Sequence, residues 1–199
     1  VLTAPVILPA DVAGLFESYS HYGTVPSQLN EIVGLTYLDT SQATTMNSMF
    51  YGYSGSTLDL SNFDSTGVIN SLGAGMNQFL ANVRYLRELK LGPKFSFVGW
   101  NNWPGNSYPV NLVDPSGMYG FHSSYYTGYW QNVGTGTVDA PYGEHILKSE
   151  ELVLTYDGAT MADTYVWQPW FIEGAPVTVN YLDEDGKELL PPNVLTGGN

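Results

Sequence analysis

The chain is 199 residues long, 43% hydrophobic and 14% aromatic, which supplies a packed core and excludes a disordered segment. Nineteen Asp and Glu against six Lys and Arg give a formal charge of −13, which excludes the clustered cations that nucleic-acid or anionic-membrane binding requires. There is no cysteine, so disulfides, thiolate metal sites and a cysteine nucleophile are excluded as well.

No apolar run approaches the roughly 18–20 residues of a membrane span, so membrane insertion is not expected. The opening Val1-Leu2-Thr3-Ala4-Pro5 lacks the basic stretch of a signal peptide. Together with the closing Gly197-Gly198-Asn199, it suggests a segment cut from something longer.

Internal repetition organises the first half. Leu38-Asp39-Thr40-Ser41 leads into Met46-Asn47-Ser48-Met49-Phe50. Phe63-Asp64-Ser65-Thr66 leads into Val68–Leu72 and, after Gly73-Ala74-Gly75, into Met76-Asn77-Gln78-Phe79. Asp39 and Asp64 lie 25 residues apart, within the period of leucine-rich repeats. Alternating stretches at Leu35–Leu38, Thr57–Leu60 and Leu86–Leu91 predict half-buried strands, with a weaker copy at Val6–Pro9. After each strand, Asp-Thr-Ser or Asp-Ser-Thr is expected to cap one or two helical turns whose Met and Phe fold back over the strands. Such units would stack into a short solenoid, entered through residues 1–30.

Beyond Gly92 the texture changes to Gly, Asn, Tyr and Trp, and all five tryptophans fall here. Tyr125–Trp130, Leu152–Tyr156 and Thr164–Trp167 read as short strands between turns. Glu173–Pro176 reads as a linker. Val177–Tyr181 then alternates, Asp185-Gly186 supplies a hairpin turn, and Lys187–Leu190 returns.

The repeat segments Leu38–Phe50 and Leu58–Asp64 resemble those of BspA-type leucine-rich-repeat surface proteins. Gly128–Thr137 and Met161–Pro169 resemble the C-terminal cap of members from lactic-acid bacteria, and Pro176–Glu188 is similar to the opening of a mucin-binding-protein (MucBP) repeat, a β-grasp-like module. The expected fold class is therefore α/β: a leucine-rich-repeat domain over residues 1–172 with an aromatic-rich β cap, then a linker and partial MucBP-like hairpin over residues 173–199. The resemblance implies an extracellular adhesin of a Gram-positive cell surface, wall-anchored through a region absent from this chain. Its partner would be a host mucin glycan or a matrix protein. The alternative is a ligand-free spacer or presentation domain at the tip of a stalk.

No catalytic, metal or cofactor residues are expected. His21, His122 and His145 are scattered, Gly73-Ala74-Gly75 and Gly134-Thr135-Gly136 are turns rather than nucleotide loops, and Asp183–Gly186 fails the spacing of a calcium loop. The candidate ligand-binding residues are Trp100, Trp103, Tyr125, Tyr126, Tyr129 and Trp130, flat rings among hydroxyl and amide side chains. The same rings could instead close the open end of the repeats. A glycan-active enzyme would need two carboxylates facing one cleft.

Overall fold

The computed structural model describes residues 4–18, 29–68, 75–98, 110–116, 125–170 and 177–195. The strands are β1 (Val6–Ile7), β2 (Leu38–Asp39), β3 (Thr57–Leu60), β4 (Glu88–Leu91), β5 (Tyr126–Asn132), β6 (Ile146–Leu147), β7 (Asp163–Pro169), β8 (Val177–Leu182) and β9 (Glu188–Leu195). Two short helices, α1 (Ser149–Thr155) and α2 (Gly158–Met161), are the α-helices among the described residues. The strands form a parallel β1–β2 pair, a mixed five-stranded sheet in the order β3-β4-β7-β5-β6, and an antiparallel β8–β9 pair.

This arrangement corrects the expected α/β repeat solenoid. The protein is mostly β-sheet, and both helices lie outside the repeats. The reason is local. Met46 to Phe50 and Met76 to Phe79 have helical spacing, but Ser48 and Gln78 each adopt φ 54°. A residue in the left-handed region cannot continue a right-handed helix. These segments instead satisfy their backbone sideways. Met46, Ser48 and Phe50 donate N–H to Gly75, Asn77 and Phe79 carbonyls, as Val12, Gly14 and Phe16 do to Thr45, Asn47 and Met49. Gly14, at φ 64°, occupies the place of Ser48 and Gln78 in the first of these three turns.

The Asp residues also act differently from the helix-capping expectation. Asp39, Asp59 and Asp64 each accept the N–H two residues on, from Ser41, Ser61 and Thr66, closing tight turns. The residue after Asp39 or Asp64 turns inward. Thr40 and Ser65 are each 1% exposed, and their hydroxyls bind backbone of the next turn, at Asp64 and Ser96.

Alternation does place strands at β3 and β4, which pair in parallel with Leu58 opposite Leu89 and Leu60 opposite Leu91. All four leucines are buried. Each such burial stabilises by about 1.5–3 kcal/mol. The stretch Leu35–Tyr37 is a 3-10 turn rather than strand, and β2 begins at Leu38. A file of rings, Phe16, Phe50, Phe79, Phe95 and Tyr156, runs through the core with centroids 5.3–6.3 Å apart.

Leu152–Tyr156, expected as strand, belongs to α1 and its C-terminal cap. Glu151 accepts the Lys148 N–H at the helix start, and Leu152, Val153 and Tyr156 form one buried face at helical spacing. The β8–β9 turn is held by Asp183, whose carboxylate accepts from the Asp185 and Lys187 N–H groups. The expected linker Glu173–Pro176 lies outside the described residues.

Candidate functional site

The parallel β3–β4 pair meets β7 in antiparallel register, with Glu88 opposite Val166 and Leu89 opposite Tyr165. Arg87, just before β4, accepts the Trp167 N–H on its carbonyl at 3.2 Å, and the Arg87 and Glu88 N–H groups both bond Ser56 O. On the other side of β7, Trp130 of β5 lies opposite Trp167, and Tyr126 opposite Pro169. A bulge separates those pairs at Gly128, φ 89°, where a side chain would press on Ser116. Tyr126 stands edge-on to Trp167, centroids 5.3 Å apart at 85°.

Pairings distant in sequence thus assemble an open cleft of about 250 Å³. It is lined by Ser56 and Thr57 at β3, Arg87 and Glu88 at β4, Tyr126 of β5, Val166 and Trp167 of β7, and Val138 and Asp139. The Val138–Asp139 side is shaped by reciprocal N–H to O bonds between Thr137 and Ala140 and by the Gly136 and Tyr142 N–H bonds to Val133 O. Residues bearing one guanidinium, two carboxylates, two hydroxyls and two rings therefore line a single concavity, with Trp167 itself only 4% exposed. Such a set can bond hydroxyls as donor and acceptor while a ring covers an apolar face.

The sequence-predicted aromatics separate. Tyr126 lines the cleft. Tyr125 is 64% exposed and accepts the Trp170 N–H on its carbonyl at 2.9 Å; Trp170 is itself 56% exposed. Tyr129 has the Lys148 Nζ 5.8 Å above its ring. Trp130 is fully buried, with Nε1 donating to Val113 O and Ser149 Oγ, each at 3.1 Å, so it belongs to the core rather than to a contact surface. Trp100 and Trp103 lie outside the described residues, as do His21 and His122.

Arg87, Glu88, Asp139 and Trp167 were missed from sequence. The available signal was weak: Arg87 is one of six cations, and Trp167 one of five tryptophans. Among the described residues no group of three or more His, Asp or Glu is arranged to hold a metal ion, and no helix is long and apolar enough to cross a membrane. No protein-family model, curated protein or solved structure matches the chain.

Proposed function

We propose that this chain is a non-catalytic adhesion module of a Gram-positive bacterial cell surface that binds host mucus glycoprotein or extracellular-matrix glycoprotein through its sugar chains. The observation that carries the reading is the cleft lined by Tyr126 and the largely buried Trp167 together with Arg87, Glu88, Asp139, Ser56 and Thr57. Sugar rings offer one apolar C–H face and a periphery of hydroxyls, and this lining answers both. The resemblance of the repeats and hairpin to adhesin modules supports the same reading.

The test is retention of the 199-residue chain on immobilised mucin, with free mucin oligosaccharides as competitors. Competable retention that falls at least tenfold in Glu88→Gln is expected. Retention that sugars do not compete, or none at all, overturns the reading in favour of a ligand-free spacer.

A further inference from the structure

We propose that β8 is the edge through which two copies of this chain pair, antiparallel about a two-fold axis, so that two two-stranded ribbons become one four-stranded sheet. No residue of the cleft takes part.

The two edges of the ribbon differ. From Val179 to Tyr181 β8 advances two residues while β9 advances three, Asn193 to Leu190. From Tyr181 to Leu182 β8 advances one and β9 two, Leu190 to Glu188. Both extra residues therefore sit in β9, which also carries Pro191 and Pro192, two positions with no N–H to donate. Bulges and prolines blunt an edge against further pairing. The β8 sequence Val-Thr-Val-Asn-Tyr-Leu has neither, and no strand among the described residues lies on its other side. A lone two-stranded ribbon is marginally stable in water. This one leaves Tyr181, Leu182, Leu189 and Leu190 exposed, apolar surface that a wider sheet shields in part.

Charge selects the occupant and its direction. The six residues of β8 are uncharged, so the edge offers no ion pair to a charged foreign strand, whereas its own copy matches it in length, alternation and lack of charge. The turn that follows holds Asp183, Glu184 and Asp185. Parallel pairing would set the two acidic turns about 5 Å apart. Antiparallel pairing about an axis at Val179 sends them to opposite ends. Each turn begins four residues from the axis, roughly 13 Å at ~3.3 Å per residue, so the turns stand ~26 Å apart, well beyond the ~8 Å screening length at physiological salt. In that register Val179 lies opposite Val179 of the other copy.

Sedimentation of the 199-residue chain over a concentration series tests this. Expected is a reversible monomer–dimer equilibrium that strengthens from about 0.05 to 0.5 M salt, because screening relieves repulsion between chains of −13 while the edge itself is uncharged. Val179→Lys and Val179→Glu should each weaken dimerisation about fivefold or more, since each sets like charges directly opposite one another. An equimolar mixture of the two variants should recover it as a heterodimer, a result that damage to the fold of either variant would not give. Leu189→Lys, on the bulged strand β9, should leave dimerisation unchanged. A chain that stays monomeric at about 1 mM, association that Val179→Lys leaves intact, a mixture that fails to recover, or a loss in Leu189→Lys equal to that in Val179→Lys overturns the proposal.

Discussion

The Thr40 hydroxyl holds both backbone groups of Asp64, donating to its carbonyl at 2.9 Å and accepting its N–H at 2.7 Å. Ser65 repeats the arrangement on Ser96, at 2.9 and 2.7 Å. Each buried hydroxyl therefore ties one turn to the next where the short strands do not. Thr40→Val keeps the shape and strips Asp64 of both partners, so it should cost about 2–3 kcal/mol in urea unfolding, while Thr40→Ser should cost less than about 1 kcal/mol. Equal losses in the two variants would show that the methyl group, not the hydroxyl, is what Thr40 contributes.

The three stacked turns differ in how well their residues suit their conformation. Gly14, Ser48 and Gln78 share the left-handed region at φ 64°, 54° and 54°. Ser48→Gly and Gln78→Gly should each gain about 0.5–1 kcal/mol, offset in part by greater freedom of the unfolded chain. Gly14→Ala should lose about 1 kcal/mol, chiefly through its backbone, because the nearest atom to a new Cβ is the movable Glu17 carboxylate at 3.0 Å. Melting temperatures of the three variants check this, and a loss in both glycine substitutions would reject the strain argument.

These same positions explain what was legible. Leu58, Leu60, Leu89 and Leu91 declare their strands because period-two alternation has one structural meaning when one face is buried. Met46 with Phe50 mimics a helix face, and no glycine at 48 or 78 betrays the positive φ that forbids one. Tyr126 was visible as part of a dense aromatic run. Arg87 and Glu88 reach it only because β7, some 80 residues later, inserts between β4 and β5. Which strand a β7-like segment will pair with is not written in its own residues, so the cleft was out of reach.

Acid should weaken the protein through Asp64 and Asp39. Burial pushes the Asp64 carboxyl up, but hydrogen bonds from the Thr66 hydroxyl and N–H, with Lys94 at 3.5 Å, hold it below its ordinary 3.8. Asp39 is lowered by bonds from the Ser41 hydroxyl and N–H. A carboxyl lowered on folding contributes stability that is complete above its unfolded value and lost as pH falls through its folded one. The melting temperature should therefore be insensitive to these two groups above about pH 5 and fall below about pH 4. Asp64→Asn should lower stability by about 1 kcal/mol at pH 7, with a deficit that closes below pH 3. A deficit independent of pH would mean that the charge on Asp64 contributes nothing.

The aromatic candidates divide into those that hold the fold and those that can meet a ligand, and two substitutions separate them. Trp130 is fully buried, edge-on to Trp167 at 6.4 Å, and its Nε1 donates to Val113 O and Ser149 Oγ. Trp130→Phe removes that donor and leaves a void where the larger ring stood, so unfolding should become easier by about 2–4 kcal/mol. Tyr125, 64% exposed, makes its cross-strand bond through the backbone carbonyl, which Ala retains. Tyr125→Ala should therefore change stability by less than about 0.5 kcal/mol. Its effect should appear in retention on mucin, where Trp130→Phe, measured well below its melting temperature, should match the parent chain. If Trp130→Phe loses retention while still folded and Tyr125→Ala does not, the exposed Tyr125 ring takes no part in the contact.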